Sequence, residues 1–180
     1  EIMPSLVGSE MCIRDRDKYL TGRIIKNVLS NKKRKELIKD CRPFLLSADD
    51  LTKRMGVYYK CKQTLDISSK QPFRFVIKYM AELVEKETKL KLMYDNCWIN
   101  LSQGKKEDMM WHNHKGYDFA LVYYMKTLPF FNNGTLFRNG FIKAPQNSLL
   151  IFPANLEHTA PSCPFRSERY TLSMNLNIVR

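Results

Sequence analysis

Trp111-His112-Asn113-His114 leads into Leu121-Val122-Tyr123-Tyr124, then Ser148-Leu149-Leu150-Ile151-Phe152-Pro153, then His158, and finally Arg169-Tyr170-Thr171-Leu172-Ser173-Met174-Asn175. The chain has three histidines, and all three fall in this stretch. Working outward, Leu92-Met93-Tyr94, Trp98 to Leu101, Asp118 to Met125, Thr135 to Phe137 and Tyr170 to Ile178 are short apolar runs rich in β-branched and aromatic residues. Gly104, Asn132-Asn133-Gly134, Asn139-Gly140 and Pro161 with Pro164 break them. Several short strands at this spacing predict a sandwich or barrel.

The N-terminal half has a different texture. From Lys18 to Cys41, Leu20, Ile24, Ile25, Val28, Leu29, Leu37 and Ile38 recur at helical intervals, with a break at Ser30-Asn31 and a stop at Arg42-Pro43. One or two amphipathic helices are expected there. Val57 to Cys61 has the content of a short strand, and Pro72 opens a helix over Phe73 to Lys89 whose apolar side carries Phe75, Val76, Tyr79, Met80, Leu83 and Val84. The expected class is therefore α+β, mainly β in its C-terminal half: supporting helices over residues 17–90 packed on a jelly roll, a double-stranded β-helix, over residues 91–180, together one domain. Leu6 to Asp15 back-translates into a transposase sequencing adaptor read in frame, so residues 1–16 are expected to be a non-native scar.

A formal net charge of +12 favours acidic or polyanionic partners. The basic residues are dispersed, however, and the one dense cluster, Lys32-Lys33-Arg34-Lys35, is read as a solvated helix face in preference to a nucleic-acid contact. Cys41, Cys61, Cys97 and Cys163 are never in C-x-x-C spacing, which excludes a zinc knuckle and a small disulfide framework and makes a reducing, cytoplasmic setting the expectation. No apolar run reaches the ~20 residues of a membrane span.

In an extended strand His112 and His114 share a face about 6.6 Å apart, close enough to turn both imidazoles onto one metal. His158 joins them only if the sheets bring it alongside. Tyr123 and Tyr124 cannot both point inward on a regular strand, so one of them packs elsewhere.

This order of H-x-H, distal His and a following Arg resembles the Fe(II)/2-oxoglutarate-dependent oxygenases, in particular a short viral and environmental branch, over roughly residues 95–180. The resemblance implies Fe(II), 2-oxoglutarate as cosubstrate and O2, with hydroxylation of a C–H bond and release of succinate and CO2. It places His112 and His158 on the two family histidines and His114 on the position of the family carboxylate. That departure leaves the third ligand between His114 and Asp118; the latter is about 13 Å away along a straight strand unless Lys115-Gly116 turns sharply. Arg169 matches the residue that grips the distal carboxylate of 2-oxoglutarate, for which a planar fork is suited as a lysine is not. Tyr124 matches a second donor to that carboxylate, and Asn100 and Asn175 are lining candidates. No catalytic side chain beyond these ligands is implied. The resemblance also puts Asn147 where the family usually has Gly, before the apolar run into Phe-Pro, and Asn tolerates the left-handed turn this implies better than other non-Gly residues. The substrate stays open, peptidyl or acidic. Two other classes remain: a cupin-like jelly roll that binds metal or ligand without redox turnover, and a basic nucleic-acid-binding module, which the sequence does not favour.

Overall fold

Arg23-Ile24-Ile25-Lys26, expected in a helix, forms the first strand, β1 (Arg23–Lys26). The reason is visible in the partition of its two isoleucines: Ile25 packs into the core beneath the helices and Ile24 into a second core on the opposite side. Consecutive residues facing opposite ways is a strand property, and a helix would set them on neighbouring faces. The computed structural model describes residues 22–56, 61–103, 110–131, 133–161 and 166–180, so the adaptor-like segment, Lys18 to Leu20, Val57 to Lys60 and Cys163 lie outside the described residues.

Ser30 then caps α1 (Asn31–Cys41), its Oγ accepting from Lys33 N at 3.2 Å, and a 3-10 turn at Arg42–Phe44 follows where Pro43 cannot continue the ladder. Ser47 caps α2 (Ala48–Met55) in the same manner, and Gly56, at φ 66°, closes it in the left-handed conformation. After β2 (Lys62–Gln63), α3 (Phe73–Thr88) begins behind Pro72 as expected. Its buried stripe is Phe73, Val76, Ile77, Met80, Ala81 and Val84, at i, i+3, i+4 spacing. Phe75, expected on the apolar side, falls outside that stripe and is 75% exposed.

The C-terminal half supplies β3 (Leu92–Ser102), β4 (Phe119–Lys126), β5 (Gly134–Phe137), β6 (Gly140–Lys143), β7 (Ser148–Pro153), β8 (His158–Thr159) and β9 (Arg169–Ile178). Strands β6 and β8 have no counterpart in the sequence reading, because one is a four-residue hairpin return and the other only two residues long. A six-stranded sheet in the order β1-β7-β4-β9-β3-β2 faces a three-stranded sheet in the order β6-β5-β8. The result is a β-sandwich with helices on the outer side of the larger sheet. The N-terminal half is thus not purely helical support: β1 pairs antiparallel with β7 and β2 with β3.

Two cores result. The first lies between the helices and the large sheet and contains Leu37, Phe73, Ile77, Met80, Tyr123, Leu149, Leu172 and Met174. The second lies on the other face of the same sheet and contains Tyr124, Phe137, Ile142, Leu150 and Phe152. Tyr123 and Tyr124 therefore point opposite ways, as their adjacency requires, and both are fully buried because both faces of the sheet are covered.

Asn147 ties β1 to this frame. It sits at φ 66°, its side chain donates to Leu29 O and accepts from Leu29 N, and its Oδ1 accepts from Tyr123 Oη at 2.7 Å. The left-handed turn expected at this residue is present, and its amide also joins segments 118 residues apart.

Candidate functional site

His112 and His158 are brought together by their own backbones. They form an isolated antiparallel bridge in which His112 N donates to His158 O at 3.1 Å and His158 N to His112 O at 2.9 Å. His114 N donates to the carbonyl of Ala154, the residue that follows β7. The three rings consequently cluster, with centroids 4.4–5.2 Å apart and one ring nitrogen of each within 4.8 Å of the others.

Their tautomers are set locally. His112 Nδ1 lies 2.8 Å from Met110 O, and His158 Nδ1 lies 2.9 Å from Leu156 O. A carbonyl can only accept, so each Nδ1 carries the proton and each Nε2 keeps a free lone pair. Burial, then the neighbouring His112, lowers the pKa of His114 to about 4, with Asn175 pulling the other way. Burial and His112 likewise bring His158 to about 3. Both imidazoles are neutral near pH 7, the protonation state that ligation needs.

Asp118 does not share this cluster. The chain does turn sharply, Tyr117 N donating to His114 O and Gly116 taking φ 102°. The Asp118 carboxylate nevertheless accepts from Ile178 N at 2.8 Å and lies 3.5 Å from Arg180.

The histidines sit in an open cleft of about 420 Å³, counting the solvent at its mouth, between the two sheets. Its walls include Trp98, Asn100, Thr135, Thr159, Thr171 and Ser173, and Arg169 reaches it from the start of β9. Arg169 is only 3% exposed, which excludes a surface arginine. One terminal nitrogen donates to Gly134 O at 3.0 Å, and its guanidinium carbon lies 5.5 Å from the Tyr124 ring centre. Burial pulls its pKa below the ordinary value, while Tyr124 and Cys61 pull it up. Gly134 lies tight against β6 for want of a side chain: an added Cβ would run into Ile142 O and the Phe141 ring.

The remaining expected residues divide. Asn100 lines the cleft, its Nδ2 donating to Ser173 Oγ at 3.3 Å. Tyr124 stands behind the wall and is hydrogen-bonded to Thr135 Oγ1. Asn175 lies behind His114, donating to Asn96 Oδ1 at 2.7 Å. Residues missed in the sequence include Trp98, stacked on His114 at 5.6 Å, and Trp111, under Arg138 at 4.0 Å. Thr171 and Ser173 had a signal: Arg169, Thr171, Ser173 and Asn175 alternate with Tyr170, Leu172 and Met174, a polar face at strand period.

No family model matches the sequence, and no curated protein matches it. Solved structures do match in three dimensions. The viral collagen prolyl hydroxylase vCPH from Paramecium Bursaria Chlorella virus-1, solved as a 2-oxoglutarate complex, superposes with a TM-score of 0.63 at 13% identity, over 88% of this chain and 96% of that one. The non-heme alpha ketoglutarate dependent epimerase SnoN from nogalamycin biosynthesis gives 0.68 at 11% identity, over 90% and 79%. HygX from Streptomyces hygroscopicus, with nickel, 2-oxoglutarate and hygromycin B bound, gives 0.63 at 8%, over 91% and 86%. The fold is that of the Fe(II)/2-oxoglutarate-dependent oxygenases. Within this oxygenase fold the chain carries a triad of histidines able to hold a metal.

Proposed function

We propose that the protein is an Fe(II)- and 2-oxoglutarate-dependent dioxygenase that hydroxylates a C–H bond of its substrate. The observation that carries this reading is the convergence, in one cleft, of three histidine nitrogens within 4.8 Å and a buried arginine. The donor set fits the metal. His112 and His158 present Nε2 lone pairs fixed by their carbonyl partners, and His114 is the third ligand, with Asp118 engaged elsewhere. Imidazole nitrogens suit divalent iron, and three protein ligands on one side leave the other side open.

When bound, Fe(II) and 2-oxoglutarate would together supply the reduction of O2, the decarboxylation to succinate and CO2, and the oxidation of the substrate. The chain's own residues orient and enclose. Arg169, held by Gly134 O and near the Tyr124 ring, would offer its guanidinium fork to the distal carboxylate of the cosubstrate. Thr135 and Asn100 supply further polar groups on that side, Thr135 backed by the Tyr124 hydroxyl. Phe137 and Phe152 pack against His158, at 6.0 and 4.7 Å between ring centres, and keep water from its inner side.

The two facing sheets support the finer reading of a double-stranded β-helix, and residues 17–180 are read as one domain. A peptidyl or acidic substrate is favoured, by the collagen prolyl hydroxylase among the structural neighbours and by the net charge of +12. Cys41, Cys61 and Cys97, buried thiols outside any disulfide among the described residues, support a reducing, cytoplasmic setting. No helix among the described residues is long and apolar enough to cross a membrane.

The test is succinate release by the purified chain with Fe(II) and 2-oxoglutarate under air, with and without a peptide pool. Succinate formation that depends on Fe(II) is the expected result. Metal uptake without succinate under any condition would move the protein to a binding jelly roll of the cupin-like kind.

A further inference from the structure

The three histidines are not held alike. His112 and His158 each direct an Nδ1 proton to a backbone carbonyl two residues earlier, and His114 has no such carbonyl among the described residues. On its side lies Asn175, two residues beyond the cleft-lining Ser173 on the same face of β9, close enough to pull the His114 pKa upward against its burial. Asn175 is 3% exposed, and its Oδ1 is buried with no hydrogen bond closed at ordinary distance.

Which end of that amide faces the ring is decided some way off. Asp95, on the exposed side of β3, accepts from Tyr117 Oη at 2.6 Å. A carboxylate of this kind accepts only, so the Tyr117 hydroxyl spends its proton there and must itself accept, from Asn96 Nδ2 at 3.3 Å. That leaves Asn96 Oδ1 to accept from Asn175 Nδ2 at 2.7 Å, so the buried Oδ1 is the end of the Asn175 amide left for another donor. Amide orientations are otherwise two-fold ambiguous, and the carboxylate at the end of the chain removes the ambiguity.

We propose that Asn175 Oδ1 is the acceptor for the outer ring N–H of His114, and that Asp95, through Tyr117 and Asn96, fixes the sense of the Asn175 amide. Asn175 is thereby a positioning residue for a ligand, an assignment that rests on His114 being the third one. A carboxylate in place of His114 would need a donor behind it; an imidazole needs an acceptor, and this relay provides one. Ligating histidines hold their tautomer and ring angle through such outer partners.

Two readouts test this on the full chain: the 15N shifts of His114 in metal-free protein, and Co(II) titration. Wild type should show one His114 tautomer. Asn175→Leu should show a mixture and bind Co(II) about 10–100-fold more weakly. Asn175→Asp, which keeps an acceptor, should restore both. Tyr117→Phe and Asp95→Asn, at the outer end of the relay, should shift the His114 signals in the same direction by less, and they serve if Asn175→Leu does not fold. Unchanged His114 shifts in these two variants, or an Asn175→Leu protein with one tautomer and unaltered Co(II) affinity, would overturn the proposal. A wild-type protein that took up no Co(II) would defeat the oxygenase reading, and the metal-free tautomer comparison would then decide the relay by itself.

Discussion

The two faces of β9 divide the molecule. Tyr170, Leu172, Met174 and Leu176 pack against the helices, whereas Arg169, Thr171 and Ser173 open onto the cleft and Asn175 lies on the side of the histidine rings. All eight are buried, so exposure does not tell them apart. What separates them is parity: one residue's shift along the strand exchanges a packing role for a chemical one. The helix-side residues should therefore govern stability with little effect on ligands, and the cleft-side residues the reverse.

The largest effect expected is on the cleft side. His158→Ala should abolish measurable iron binding and turnover while leaving a folded protein, since it removes a ring and not a core aliphatic. Metal analysis after anaerobic reconstitution checks it, and a normal iron content would remove His158 from the site. On the opposite face, Leu172→Ala should cost about 2–5 kcal/mol of stability, the range for deleting a buried leucine. The metal affinity of the folded fraction should stay at the wild-type value; a parallel loss of metal would show that the two faces are not independent.

Arg169→Lys sharpens the division within the cleft. It retains a charge and loses the paired donors, worth about 1.5–3 kcal/mol for each charged hydrogen bond, so the half-saturating 2-oxoglutarate concentration should rise at least tenfold with iron affinity little changed. Titration of 2-oxoglutarate into the anaerobic iron complex measures both. An unchanged constant would leave Arg169 a structural residue and 2-oxoglutarate without its expected anchor.

The smallest effect is on pH. His114 and His158 have folded pKa values near 4 and 3, below the ordinary 6.5, so the unfolded chain binds protons more readily than the folded one. Neither residue affects stability above about pH 7. As pH falls through 6.5 the metal-free fold should lose stability, by about 1 kcal/mol per residue at pH 5.5, and continue losing it until the folded pKa is reached. Thermal melts should show this slope, and His158→Gln should flatten it. A melting temperature independent of pH from 7 to 5.5 would contradict the burial of these rings.

Much of this division was legible in the residues. The H-x-H, His158 and Arg169 stand out because histidine is scarce in this chain and because a charged residue opens an otherwise apolar strand. The turn at Asn147 was legible only through the resemblance, which puts a glycine at that place. The N-terminal strand was not. Ile24, Ile25 and Val28 satisfy a helical interval as well as a strand buried on both sides, and only β7, more than 120 residues later, resolves the choice. The role of Asn175 was hidden because it depends on Asn96 and Asp95 across the register irregularity in β3, which no periodicity in either strand reveals. Strand β8 escaped notice because its identity is a consequence of pairing with β5 and not of its own two residues.

The strand order has a bearing on how the protein is made. β9 lies between β3 and β4, yet it follows both in the chain by more than forty residues. On the ribosome, β3 and β4 emerge early with unpaired inner edges and wait for β9 to slot between them. Open edges of this length invite pairing with other chains. Translation that stalls or terminates before Arg169 would yield not a weakened fold but two exposed half-sheets, and the burden on chaperones should be concentrated in that interval of synthesis.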